Sequence, residues 1–98
     1  MDSQIQKIYV GDIGTDIIVD CGSDISTATV HELKVKKPDR TIVTWSADIL
    51  NTKFIKHITV SGDLNQSGTY TIQSHIVIPS VGEWLGESAS FVVYTPFS

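Results

Sequence analysis

The sequence predicts an all-β protein, an immunoglobulin-like β-sandwich of about seven antiparallel strands in a single domain over residues 1–98. Three observations point there. Short runs of branched and aromatic residues are separated by Gly, Asp, Asn and Pro roughly every eight to twelve positions, the spacing of a sandwich or barrel. Within the runs, apolar and polar residues alternate with the period of two that a half-buried strand requires. The third is the segment Leu64-Asn65-Gln66-Ser67-Gly68-Thr69-Tyr70, a turn that feeds a tyrosine-headed strand. That order fits a tyrosine corner, in which the ring packs inward and the hydroxyl bonds back to backbone a few residues upstream.

The strands follow in order. The first covers about Lys7 to Val10 and ends at Gly11-Asp12-Ile13-Gly14. The second, Thr15 to Cys21, sets Ile17, Val19 and Cys21 on one face against Asp16, Ile18 and Asp20, and Gly22-Ser23-Asp24 breaks it. In the third, Thr29 to Lys36, Leu33 and Val35 share a face with His31, while Glu32, Lys34 and Lys36 form a solvated charged face. Lys37-Pro38-Asp39-Arg40 then makes a tight turn, since Pro presets φ and Asp bonds its own backbone. The hairpin partner is Thr41 to Ser46, with Ile42 or Val43 and Trp45 mostly buried.

Ser46 to Lys53 is ambiguous, either one helical turn or an irregular crossover. Phe54 to Val60 alternates again, with Phe54, Ile58 and Val60 on one face and Ile55, His57 and Thr59 on the other. Gly68 to Ile78 is the longest strand and aligns Tyr70, Ile72, Ser74, Ile76 and Ile78. Pro79 to Glu83 reads as a hairpin loop, with Trp84-Leu85 following it between Gly82 and Gly86 as an exposed tip. The last strand is Ala89 to Thr95, and Pro96 ends it. Stacking these strands in two layers buries their apolar faces.

Composition narrows the function. Charged residues make up only 18% of the chain, which leaves part of the surface to be covered by a partner. A net charge of -4 opposes the basic face that nucleic-acid binding needs. Cys21 is the single cysteine, so an internal disulfide is excluded and folding in a reducing cytoplasm is expected. Met1-Asp2-Ser3-Gln4-Ile5 lacks the basic start and apolar run of a secretory signal. No apolar stretch approaches the ~20 residues of a membrane helix, so no membrane partner is expected.

No catalytic, metal or cofactor-binding residue emerges. His31, His57 and His75 lie on three strands, with His57 and His75 on opposite sheets and both outward, so they do not converge as zinc ligands. Asp12, Asp16, Asp20 and Asp24 scatter over one strand and its flanking loops, and read as solvated turn formers. Cys21 ends an apolar row and reads as a core thiol. No serine stands in a strained Gly-x-Ser-x-Gly turn and no glycine-rich loop opens a helix. The expected protein is therefore not an enzyme. The candidate partner-binding residues are Trp84, Leu85 and Phe97, as exposed apolar tips, and Lys34, Lys36, Lys37 and Arg40, as a basic hairpin able to dock on an acidic protein surface.

Three phrases carry a family resemblance. They are Ile8-Tyr9-Val10-Gly11-Asp12-Ile13-Gly14-Thr15, then Lys34-Val35-Lys36-Lys37-Pro38-Asp39 leading into Thr41-Ile42-Val43-Thr44-Trp45, and Gly62-Asp63-Leu64 with Gly68-Thr69-Tyr70. Together they resemble small immunoglobulin-like structural proteins of tailed bacteriophages and prophages, from about Ile8 to Tyr94. The resemblance implies a multi-copy virion protein made in the bacterial host cytoplasm, docked on capsid proteins as a decoration or on tail and baseplate proteins, or on copies of itself. It supplies no catalytic residue. Arg40 departs from the family pattern, which more often carries Gly after the turn aspartate. The alternative is an adhesion or glycan-binding module on the virion or cell surface, and an accessory lysis enzyme is a weaker third reading.

Overall fold

The computed structural model describes residues 7–97 as two stacked β-sheets. The strands are β1 Ile8–Tyr9, β2 Asp16–Asp20, β3 Val30–Lys36, β4 Ile42–Ser46, β5 Asp48–Leu50, β6 Phe54–Ile58, β7 Gly68–Ile78 and β8 Gly82–Tyr94. One sheet has the order β1-β8-β7-β3-β4 and the other β2-β6-β5. The fold is thus all-β, as the alternation predicts.

Each expected strand is present, and the ambiguous stretch supplies one more. Asp48–Leu50 is a strand, β5, that pairs antiparallel with β6. Its hairpin turns through Asn51 and Thr52, both at positive φ (50° and 62°). Asn tolerates that region, whereas a branched Thr rarely enters it, so the turn was poorly marked in the sequence. The pairings are antiparallel except that of β1, which lies parallel to β8 with Ile8 opposite Val93.

The tyrosine corner forms as expected. Tyr70 is fully buried, and its hydroxyl accepts the Gln66 N–H at 3.2 Å. Burial pushes its phenol upward, offset in part by hydrogen bonds from the Gln66 and Asn65 backbone. The ring stacks on Phe91 at 5.4 Å and tilts against Trp45 at 6.4 Å. Around these three pack Leu33, Val35, Ile17, Ile25, Ile55, Leu64, Ile72, Ile76 and Val93. In the β3–β4 hairpin Trp45 is buried, Val43 is half-buried and Ile42 is exposed.

Arg40 occupies the left-handed position of the β3–β4 turn. The Arg40 N–H donates to the Lys37 carbonyl, the Lys37 N–H donates to the Thr41 carbonyl, and Arg40 sits at φ 73°. A type I turn closed by one left-handed residue is the common three-residue hairpin, and glycine suits that last position best. Here arginine accepts the strain.

Two expectations about facing are corrected. His57 points inward, because the core face of β6 is Ile55, His57 and Thr59, while Ile58 and Val60 are exposed. Apolar Ile58 and Val60 lose the interior because both polar residues of the other row find partners. Thr59 Oγ1 accepts the Thr15 N–H at 3.0 Å, and His57 is bonded at both ring nitrogens. Secondly, β8 begins at Gly82, so Trp84 and Leu85 belong to a strand and not to a loop tip. The register shifts where Gln73 pairs with Ser88 but His75 pairs with Leu85, a β-bulge in β8. Phe91 and Ala89 face Tyr70 and Ile72, and after the bulge it is Trp84 that shares the inner face with Ile76.

Candidate functional site

The predicted partner residues do not converge. Gly68 pairs with Val93 and Ile78 with Gly82, so β7 and β8 run from a corner end to an open end. Eleven residues in β7 place those ends roughly 35 Å apart. Lys37, Arg40 and Phe97 gather at the corner end, and Trp84 and Leu85 at the open end.

At the corner end the basic hairpin is turned partly onto its own protein. Lys37 Nζ donates to Asn65 Oδ1 at 2.9 Å and reaches the Gly62 carbonyl at 3.5 Å. The Asp39 N–H donates to Gln66 Oε1 at 3.1 Å. Thus the turn clamps the corner loop, and Lys36 and Arg40 remain exposed. Phe97 is fully exposed. Lys34 sits mid-sheet, donating to Thr44 Oγ1 and lying 3.2 Å from Glu32.

The open end holds a cleft of about 420 Å³ between the β2–β3 loop and the β7–β8 hairpin. Ile25, Ile76, Ile78, Val81 and Trp84 form apolar walls, and Cys21 and Ser74 form the floor. This volume lies within the roughly 300–1,000 Å³ usual for binding sites. Its charged lining residue is Asp24, whose carboxylate is held below the ordinary range by hydrogen bonds from Ser26. The Cys21 thiol is pushed up by burial, against a hydrogen bond from Ser74, with Asp20 raising it further. A raised thiol is a poor nucleophile, which agrees with a structural role.

Two glycines build this end. A Cβ on Gly82 would lie 3.0 Å from Trp84 Cζ2, so the indole is laid back over its own strand. A Cβ on Gly86 would clash with Ser74 Oγ, which is itself buried. Trp84 remains 47% exposed and Leu85 58%, with Val81 beside them. The pair of glycines around Trp84-Leu85 was visible in sequence. The contribution of Cys21, Ile25 and Ser74 was not, since it depends on the facing sheet.

On the outer face of the larger sheet, beside Trp84 and Leu85, lies a charged relay. His75 Nδ1 bonds Glu32 Oε2 at 2.8 Å and its Nε2 bonds Glu83 Oε2. The hydrogen bond to Glu83, then that to Glu32, raises His75 above its ordinary 6.5, against some desolvation. Glu32 is lowered, first by His75. His75 therefore contributes stability that is complete below pH 6.5 and is lost as pH rises through its raised folded value. Glu32 contributes stability present above its unfolded value and lost as pH falls through its lowered one. Wild-type stability is expected to drop as pH rises above 6.5 through the raised folded value of His75, by under about 1 kcal/mol because the pair is partly solvated. Urea midpoints at several pH values check this, and His75→Gln should flatten the slope; an unchanged slope would remove His75 as its source.

The carboxylates flank the imidazole on opposite nitrogens, so these three groups do not share a ligand point. Among the described residues no three His, Cys, Asp or Glu side chains are placed to hold a metal ion.

No protein-family model matches the chain, and no curated protein matches it. Among solved structures, CopC from Methylosinus trichosporium OB3b is similar, with a TM-score of 0.63 at 10% identity. The match covers 94% of this chain and 87% of that one. At that identity the likeness concerns the fold, and it agrees with a β-sandwich.

Proposed function

We propose that the protein is a non-catalytic structural virion protein of a tailed bacteriophage, a multi-copy module that docks on capsid or tail proteins through its open end. The carrying observation is the exposed apolar group Val81, Trp84 and Leu85 at the mouth of an apolar cleft. Tryptophan is enriched at the centre of binding interfaces, where a rigid ring fills a partner pocket or closes over a partner side chain. Here the ring is pre-set against Gly82, so little rotamer freedom is lost on binding. The virion assignment draws on the sequence resemblance, and Cys21 as an unpaired thiol is compatible with folding in the host cytoplasm. Many copies per particle would let a modest contact hold by avidity.

Trp84→Ala is expected to fold like the wild type, since the side chain is half exposed, but to lose at least ~2 kcal/mol of partner affinity. Competition of wild-type and variant protein for incorporation into particles measures this. Equal incorporation would exclude Trp84 from the contact.

The second reading, a glycan-binding module, has one observation in its favour: the exposed indole stands beside Ser23 and Asp24 at the cleft mouth. Binding of the isolated domain on a glycan array would select it over protein docking.

A further inference from the structure

The two outer faces of the sandwich differ in charge. On the smaller sheet Ile17, Ile55 and His57 point inward, so alternation turns Asp16, Ile18 and Asp20 of β2 and Lys56 and Ile58 of β6 outward. Asp48 of β5 pairs with Lys56 on that same outer face. Three carboxylates thus stand against one ammonium. The apolar side chains among them are uncovered, Ile18 at 51% exposure and Ile58 at 50%. Val60 and Ile13, also exposed, continue the patch toward the corner end, where the Gly14 N–H donates to the Thr59 carbonyl. Isolated exposed apolar residues are ordinary, but a contiguous group rimmed by charge marks a contact surface.

On the larger sheet the corner half of the outer face is basic. Leu33 and Val35 point inward, which turns Lys34 and Lys36 outward. Their lateral neighbours are Thr44 and Gln73 for Lys34, and Ile42 and Thr71 for Lys36, all uncharged. Lys34 leans toward Glu32 at 3.2 Å. Asp16 and Lys36 are both exposed, and among the described residues neither has an ion pair. Lys34, Lys36, Ile42, Thr71 and Gln73 rim a shallow hollow of about 170 Å³, room for a branched side chain from outside. Ile42 beside it is 69% exposed.

We propose that these two faces meet in successive copies of the chain, the acidic, apolar face of the smaller sheet docking on the basic hollow of the next copy's larger sheet. Ile18 and Ile58 enter beside Ile42, and Asp16 and Asp20 meet Lys34 and Lys36. A second copy is the partner because each face has its complement, in charge and in apolar surface, on this chain itself. The faces lie on opposite sides of one sandwich, so the contact is heterologous and each copy makes it twice. A three-stranded face of five residues measures about 14 by 17 Å. That is well below the ~800 Å² per partner of a standard interface, so one contact is weak and repetition strengthens it. The contact is independent of the virion reading and of Trp84, and can be tested without particles.

The test follows amide chemical shifts of the ¹⁵N-labelled full chain from micromolar to millimolar concentration. In the wild type the amides of Ile18 and Ile58 and those of Lys36 and Thr71 should move together, the buried Tyr70 amide should not, and high salt should suppress the movement. Lys36→Glu spoils the basic face. Asp16→Asn combined with Ile18→Ser spoils the acidic one. All three positions are exposed, and an unchanged Tyr70 amide verifies that each variant is folded. Either variant alone should lose most of the concentration dependence. Mixed in equal amounts, the two should pair through their intact faces. The Ile58 amide should then move in labelled Lys36→Glu protein, and the Thr71 amide in the labelled double variant. Wild-type shifts that stay constant to millimolar concentration would overturn the proposal. So would movement confined to one face, which means a two-fold contact, or variants that fail to pair when mixed.

Discussion

Asp63→Ala is expected to destabilise the protein by about 3 kcal/mol, the largest effect of any polar substitution in it. Asp63 Oδ2 holds His57 Nε2 at 2.7 Å and the Val60 N–H at 2.9 Å. His57 Nδ1 lies 2.6 Å from the Ser46 carbonyl, and its ring stacks on Trp45 at 4.7 Å. Each ring nitrogen of His57 therefore faces an oxygen, a backbone carbonyl on one side and a carboxylate on the other. Alanine leaves the buried ring with one nitrogen facing no partner, and the more exposed Val60 N–H without its acceptor, in a network that ties β4, β6 and the corner loop. Urea unfolding should show a lower midpoint at unchanged slope. Asp63→Asn keeps one acceptor and should lose less. A loss below about 1 kcal/mol for alanine would mean that water replaces the carboxylate there.

Gly68→Ala should be comparably severe, about 3 kcal/mol, because two faults coincide. Gly68 has φ 122°, a region that side chains rarely enter. A Cβ would also stand 2.9 Å from Pro38 Cβ and 3.0 Å from its Cγ. Pro38 cannot give way easily, since Lys37 and Asp39 on either side are bonded to the corner loop. Combining Gly68→Ala with Pro38→Gly should recover the steric part and leave the backbone part, which a double-mutant cycle separates. Additive losses would show that the two residues do not press on one another.

These two sites also separate what is local in the sequence from what only the fold decides. The tyrosine corner was legible because its parts are local: Tyr70 reaches back only to Gln66, and Gly68 stands between them. The core rows of β2, β3 and β7 were legible for the same reason, as period-two alternation belongs to each strand alone. His57 was not. Its row competes with Ile58 and Val60, and the choice is made by Ser46, Asp63 and Thr15, which alternation within β6 cannot see.

The open end was half legible. Trp84 and Leu85 stood out as exposed, and they are. Their setting depends on the facing strand: Gly86 leaves room for the Ser74 hydroxyl, and the register shift beside it places Trp84 on the inner face with Ile76. Likewise the basic hairpin was correctly placed as a turn, but Lys37 and Asp39 are used to hold the corner loop, which its sequence did not disclose.

Docking as a virion component is most directly measured by mass spectrometry of purified particles of the encoding phage, after heads and tails are separated. The prediction is recovery of the chain in many copies from one of the two fractions, with chemical cross-links to a capsid or tail protein that map to the Trp84 end. Absence of the chain from both fractions would contradict it.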